Sequence, residues 1–387
     1  FNRRNIDIHA VKSTVMTVSR DKNGKLQDVI AKGGKPTNSN KQYHHEAMVY
    51  LEINLHTDEA AMQELADSLR SVLRDVDTVV ADYRSLLDQV ERTRSSLKLA
   101  KQDLVSDNAK EADEFLKWLA DGHFTLLGYV EYEFEGKGDE RRLTEKTDSR
   151  LGLFRMHGTK AASVTEAQFN PGMMRFHLTP QVISFTKSAV RSRVHRQAYS
   201  DYVVVKQFDK QGNVCGESRF LGLYTSPVYT LSPSKIPLLN RKIENVLQRS
   251  GLESSSHDGK ALRQVLETFP RDELFQSNES ELFETVMGVA RIKERHMVRL
   301  FVRRDPYGKF VNCLVYVPRD EFSTHIRLKI QSLVVNLLNA QEHEFTTYFS
   351  ESVLARSHIV FKVDPEKKID LDVKRLERQI VDITRSW

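Results

Sequence analysis

A change of hydrophobic period between residues 297 and 363 constrains this chain more than any other feature. Met297 to Asp305 (MVRLFVRRD) alternates apolar and polar residues with period two, and Pro306-Tyr307-Gly308 closes it as a turn. Phe310 to Val317 predicts a second strand, stopped by Pro318. From Ser323 the spacing shifts. Ile326, Ile330, Val334, Leu337 and Leu338 recur every three or four residues, the stripe of an amphipathic helix with Ser323 or Thr324 as N-cap. Glu344 to Phe349 and Ser357 to Val363 predict two more strands, ended by Asp364-Pro365. One helix is too little cover for a four-stranded sheet, and Leu371 to Ile383 supplies a second through Leu371, Val373, Leu376, Ile380 and Ile383. The expected unit is a small sandwich with helices on one side of an antiparallel sheet. Its remaining face and edges are of the kind commonly satisfied by pairing with copies of the same chain.

Ile6 to Val18 predicts a strand and Asp21 to Gly24 a hairpin turn, while Gly33 to Gln42 has the composition of a mobile loop. His44 to Leu55 predicts a strand with Ala47, Val49, Leu51, Ile53 and Leu55 on one face. Thr57 is positioned to cap a helix through Arg74 whose buried edge is Leu65, Leu69, Val72 and Leu73; Val76 to Val80 fits either a strand or more helix. Tyr83 to Ala120 predicts a charged helical arm with Phe115, Trp118 and Leu119 buried.

Strands are then expected at Phe124 to Phe134, Leu151 to Arg155, Val182 to Lys187, near Val194, at Asp201 to Phe208 and at Cys215 to Leu223. Turns fall at Gly136-Lys137-Gly138 and Asp209 to Asn213, with a weakly patterned loop from His157 to Gly172. Helices at Ile236 to Arg249, His257 to Phe269 and Ser280 to Glu294 would cover one face of that antiparallel sheet, with a domain boundary near Lys293.

At 387 residues the chain exceeds what one core usually supports, which predicts two to four domains; a first residue other than Met predicts a piece of a longer chain. No signal peptide or apolar membrane span is legible, and Cys215 and Cys313 alone exclude a disulfide framework, so a reducing, cytoplasmic setting is expected. With 58 Lys plus Arg against 53 Asp plus Glu, net charge is only +5, which argues against a nucleic-acid binder.

Candidate chemistry is sparse. His44-His45-Glu46 offers metal-ligand types, but adjacent strand residues face opposite ways. His195 with Arg193, Arg196, Tyr199 and Asp201 forms a polar cluster suited to an anion or to a solvated strand edge. His123 in Asp121-Gly122-His123 is a possible base without a visible partner, and Asp258 in His257-Asp258-Gly259 reads as a helix cap. Arg303-Arg304-Asp305 is expected to contact another domain or subunit. No three-glycine dinucleotide loop, Walker loop, Gly-x-Ser-x-Gly or His-Glu-x-x-His is present in the sequence. No catalytic, cofactor-binding or metal residue is assigned.

Long strings in the middle of the chain do carry a resemblance. FLKWLADGHFTLLGYVEYEF (Phe115 to Phe134), LGLFR (Leu151 to Arg155), Ser192 to Tyr229, IPLLNRKIENVLQRSG (Ile236 to Gly251), Ser256 to Gln276 and Arg299 to Thr324 resemble the amino-terminal region of the large bacterial NAD-specific glutamate dehydrogenases. The resemblance implies an α+β chain of ACT-like, ferredoxin-like antiparallel sandwiches with a central, mostly antiparallel sheet domain and helical linking motifs. Residues 1–82 would be a truncated ACT-like domain, 83–121 a helical arm, 122–232 the sheet domain, 233–295 a helical segment and 296–387 a second ACT-like domain. It implies further that the NAD cofactor, the catalytic lysine and aspartate and the dinucleotide loop belong to a separate catalytic region. The partners it implies are that region, further copies in a tetramer or hexamer, and an amino-acid effector, with neither nucleic acid nor membrane. The alternative role is allosteric sensing of a small amino acid.

Overall fold

A computed structural model of the chain describes residues 1, 6–30, 34, 41–55, 57–99, 102–136, 142–157, 181–293, 295–349, 352–367 and 369–385. The chain divides into two compact units, Phe1–Ser71 and Val72–Trp387.

In the first unit β1 (Ile8–Arg20) is flanked by β2 (Leu26–Ile30) and β3 (His44–Ile53), antiparallel and in the order β2-β1-β3. The turn forms where the sequence placed it: the Asp21 carboxylate accepts from the backbone N–H of Asn23 and Lys25, and Gly24 takes φ +79°. Most of the polar stretch 33–42 lies outside the described residues. Pairing of Val11 with Leu51, Ser13 with Val49 and Val15 with Ala47 gathers the predicted β3 stripe on one face. That face is open, with Val11, Val15 and Val49 60%, 66% and 56% exposed.

Helix α1 (Glu59–Leu99) differs from expectation at both ends. Asp58, not Thr57, holds its start, its Oδ1 accepting from Ala60 N at 2.9 Å. The helix also passes Arg74 and takes in Val76 to Val80. Leu69 and Leu73, expected in the buried edge, are 37% and 62% exposed.

In the second unit α1 continues and α2 (Gln102–Trp118) follows, with Phe115 and, just past its end, Leu119 fully buried, while Trp118, expected to be buried with them, is half-buried. Five antiparallel strands then form the central sheet: β4 (Phe124–Glu135), β5 (Arg142–Gly152), β6 (Ile183–Arg191), β7 (Tyr199–Phe208) and β8 (Val214–Tyr224), in the order β5-β4-β8-β7-β6. Two readings are corrected. The strand expected at Leu151 to Arg155 lies earlier, as β5, and Leu153–His157 is the short helix α3. Val194 is not in a strand: it sits in a bend held by the Ser192 hydroxyl, with His195 at φ +68°. The loop 158–172 and the turn residues 137 and 138 lie outside the described residues.

One face of the central sheet, through Leu126, Tyr129, Val203, Val205 and Phe220, packs on α2 and on helices that follow in sequence. These are α4 (Ser226–Thr230), α5 (Leu239–Ser250), α6 (His257–Thr268), α7 (Arg271–Gln276) and α8 (Glu279–Ala290). The opposite face closes over a smaller cluster that includes Leu127, Val130, Leu221 and Phe154. Gly251 ends α5 in the left-handed region, as expected. Ser256 caps α6, accepting from Gly259 N, so Asp258 is not the cap. Asn278 and Glu281 form a capping box on α8.

The segment read first is realised closely. Strands β9 (Arg299–Arg304), β10 (Phe310–Pro318), β11 (Glu342–Phe349) and β12 (Leu354–Lys362) form a sheet of order β11-β12-β10-β9, with α9 (Thr324–Leu338) and α10 (Val373–Arg385). Ser323 caps α9 at 3.2 Å. Val311, Cys313, Val315 and Val317 meet Ile330, Val334, Leu376 and Ile380 in one core. The opposite face was expected to stay open, but it is covered from within the chain: Leu314, Tyr316 and Leu354 join the core built by α5 to α8. Burial of such side chains contributes roughly 1.5–3 kcal/mol each. The N–H of Leu300 on edge strand β9 is taken up by Glu377 of α10 at 2.8 Å.

Candidate functional site

The six residues of α7 (RDELFQ) stand between the central sheet and the β9–β12 sheet, and nearly every one is used. Leu274 and Phe275 enter the apolar core, Phe275 stacking on Tyr224 at 4.6 Å between ring centroids. Arg271 donates to the carbonyls of Leu231 (2.7 Å), Glu267 and Phe269 (3.1 Å each). At the other end the Lys242 ammonium donates to the carbonyls of Leu274 (2.7 Å), Phe275 (3.2 Å) and Ser277 (2.8 Å). A cation there satisfies carbonyls that a short helix leaves orphaned. Burial pulls the Lys242 ammonium down to about 8.

The two carboxylates of α7 point to different sheets. Asp272 meets Lys187 of β6 at 3.0 Å, and Asp201 of β7 meets the same ammonium at 2.9 Å. Burial pushes the Asp201 carboxyl up to about 6 against the pull of Lys187. Burial acts the same way on Asp272, but there Lys187 outweighs it and holds the group below its ordinary value. Glu273 faces the other way and takes a two-pronged pair from Arg303 of β9, at 2.8 and 2.7 Å, with Gln276 accepting a third bond at 3.1 Å. The Asn312 amide, oriented by these neighbours, donates to Glu273 and accepts from Arg303, both at 3.1 Å. His358 of β12 lies 3.7 Å from Glu273, and burial lowers its pKa, which favours the neutral ring. Arg356 of β12 donates to the Thr268 carbonyl at the end of α6 (2.7 Å).

A second, half-exposed set joins the same two sheets. Glu342 of β11 accepts from Tyr199 Oη at 2.6 Å and from Arg191 Nε at 3.2 Å, while Arg191 also pairs with Glu344. Tyr199 meets Phe310 edge-on at 5.1 Å. Farther along the central sheet Glu217 of β8 holds two cations, Lys206 opposite it on β7 and Arg219 two residues on, at 2.9 Å; none is more than 2% exposed. Arg219 also lies over the Tyr132 ring at 4.1 Å.

The residues singled out from sequence separate in space. His44 bonds Glu46 (2.8 Å) and His45 bonds Thr17 (3.0 Å), and among the described residues no cluster of three or more metal-ligating side chains occurs. The cluster around His195 disperses: Arg193 reaches Asp75 of α1 (2.5 Å), Arg196 reaches the Tyr224 carbonyl (2.9 Å), and Tyr199 and Asp201 join the sets above. His123 stacks on Trp118 at 4.3 Å and donates from Nδ1 to the Trp118 carbonyl at 2.7 Å, a structural turn. Asp258 pairs with Lys293 (3.1 Å). Asp305 closes the β9–β10 turn on Tyr307 N and Phe310 N. Only Arg303 and Asp201 were both noticed in sequence and found in the buried joint. Lys187, Lys206, Glu217 and Arg219 carried a usable signal, a charge set within an otherwise apolar strand run, which requires a partner if the strand is buried.

The Asp201 shift has a testable sign. Its folded pKa is above the ordinary value of about 4, so its contribution is favourable below that value and is lost as pH rises from about 4 to about 6. Relative to Asp201→Asn, the wild-type chain should lose stability across that window, read as a falling denaturant midpoint. Parallel midpoints for the two proteins would contradict the assignment.

Three domain models of one family match the chain: "Glutamate dehydrogenase, ACT1 domain" over residues 1–69, "Glutamate dehydrogenase, helical motif 1" over 236–295 and "Glutamate dehydrogenase, ACT2 domain" over 299–387. The chain is similar along its whole length to proteins named NAD-specific glutamate dehydrogenase from Halomonas elongata (39% identical) and Pseudomonas aeruginosa (40% identical). Another of that name, from Mycobacterium tuberculosis, is 25% identical over 94% of the chain. The chain spans 24%, 24% and 21% of the length of these three relatives.

Proposed function

From a chain that carries the ACT1, helical motif 1 and ACT2 domains of the NAD-specific glutamate dehydrogenase family, we propose a non-catalytic part of such an enzyme that organises its assembly and regulation. The parent reaction would be oxidation of L-glutamate with NAD and water to 2-oxoglutarate, ammonia and NADH, carried out by a separate catalytic region of the same polypeptide. The observation that carries this reading is the joint at α7. Its buried charges, Lys187, Asp272, Glu273 and Arg303, are paired with one another across element boundaries rather than converging on a vacant cleft. A joint of this kind makes ACT2 move with the central sheet, which suits a domain that passes its state to the rest of an enzyme.

Assembly is supported separately by the apolar face of β1 and β3, an exposed patch of Val11, Val15, Val49 and their neighbours. The occupant proposed for it is another copy of the polypeptide. Sedimentation of the 387-residue chain over a range of concentrations tests this. The expected result is mass that rises with concentration and falls back to the monomer in Val11→Lys/Val49→Lys, with no NADH formed from glutamate and NAD. A monomer at every concentration, or turnover by this chain alone, would refute it.

A further inference from the structure

We infer that α1 pairs, antiparallel, with α1 of a second copy of this chain, along an apolar seam that the helix leaves open. Within the second unit α1 presents two neighbouring faces. Val79, Leu86, Val90 and Leu97 are buried in the cores of that unit, and Asp82 on the same side accepts from Gly152 N at 2.8 Å. Beside this face runs a second line, Leu73, Val76, Val80, Tyr83 and Leu87. Leu73, Val80 and Tyr83 are 62%, 68% and 48% exposed, and Val76 and Leu87 are half-buried.

Apolar residues scattered singly over a charged helix need no explanation. These are not scattered. They alternate steps of three and four residues, and Leu69, Ala66 and Met62 continue the same spacing back toward the start of the helix. That period of 3.5 residues is the one that keeps a stripe turned toward a single partner helix along its length. The packing of α1 on its own unit uses the neighbouring face, so it does not account for the stripe.

The flanks of the seam identify the partner. In heptad terms Leu73, Val80 and Leu87 take position a, and Val76 and Tyr83 take position d. Position g, with Val72, Val79 and Leu86, is apolar and turned toward the unit's own core. Position e, on the open side, reads Arg70, Asp77, Arg84 and Glu91, alternating in sign. In a parallel pair each of these charges would meet an apolar g residue of its partner. Reversing one helix brings the two e flanks together instead. The register that sets Val80 against the second copy's Tyr83, and Val76 against its Leu87, also sets Asp77 against its Arg84, twice by symmetry. This contact is centred between Ala81 and Asp82 and lies wholly within the second unit.

The inference rests on the assembly proposed above, to which it adds a second surface. A pairing this short contributes little alone and closes between copies that the face of β1 and β3 has already brought together, at the high effective concentration of a tethered partner. Val11→Lys/Val49→Lys is therefore still expected to be a monomer.

Sedimentation of the 387-residue chain against charge variants tests it. Asp77→Arg and Arg84→Asp each set like charges opposite one another and should weaken association at least ~10-fold. Asp77→Arg/Arg84→Asp restores opposite charges and should associate as wild type does. Both side chains are exposed, so the melting temperature of each monomer should not change. Single variants that associate like wild type would overturn this proposal alone, leave the face of β1 and β3 standing and assign the seam to another segment of the parent polypeptide. A double variant as weak as the singles would overturn the antiparallel register. A wild-type chain that stays monomeric at every concentration would overturn both surfaces.

Discussion

Arg303→Met should lower the unfolding free energy by about 3–5 kcal/mol, the cost of stranding a buried carboxylate whose partner has been removed. Glu273 is 3% exposed, and the two-pronged bond from Arg303 is its principal compensation. Burial would raise the Glu273 pKa, and Arg303 outweighs it to hold the group ionised. Methionine fills comparable volume but donates nothing, leaving Asn312 and a neutral His358 as the remaining polar neighbours. The double variant Arg303→Met/Glu273→Leu should cost less than Arg303→Met alone, because no charge is stranded. A double variant whose cost equals the sum of the singles would show that the two residues are not coupled.

Glu217→Gln carries an expected loss of the same size, about 3–5 kcal/mol, for the mirror-image reason. One carboxylate holds Lys206 and Arg219, and its removal leaves two cations facing each other inside the sheet. Burial already pulls the Lys206 ammonium down, and Glu217 is the group that opposes this pull. In Glu217→Gln the simplest relief is for Lys206 to give up its proton, so the variant should gain more stability than wild type as pH rises into the alkaline range, because wild-type Glu217 holds Lys206 nearer its ordinary value. Denaturant melts at neutral and alkaline pH check both statements. A loss near ~0.5 kcal/mol, typical of a surface site, would mean that water reaches the triad.

How much of this was legible in sequence followed from local pattern. The ACT2 unit is legible to within about three residues at each element end because its strands and helices differ in period and Pro318, Ser323 and Pro365 punctuate it. Strand β5 was missed because it is an edge strand: Arg142, Glu145, Lys146 and Arg150 give it the look of a loop, while Leu143 alone of its first half is an apolar core residue. Helix α7 was missed because six residues after Pro270 cannot display a helical period, and its partners are distant in sequence. The face opposite α9 and α10 was misjudged for a related reason. Leu314 and Tyr316 alternate with Cys313 and Val315 in a strand buried on both sides, and such a run does not say what covers its second side. The candidate site was the least legible part, since Lys187, Asp272, Glu273 and Arg303 acquire meaning only together.

If α7 binds ACT2 and the central sheet into one cooperative unit, two probes followed in a single unfolding titration must report one transition. Trp118, stacked on His123 beside the central sheet, reports one side by fluorescence once Trp387 is replaced by phenylalanine. Cys313 in β10, fully buried with its thiol pushed up to about 12 by burial, reports the other by reaction with a thiol reagent once Cys215 is replaced by serine. Trp118 fluorescence should change and Cys313 become reactive at the same denaturant concentration, and Arg303→Met should separate the two. Reactive Cys313 in a protein whose Trp118 signal is still native, with Arg303 in place, would contradict it.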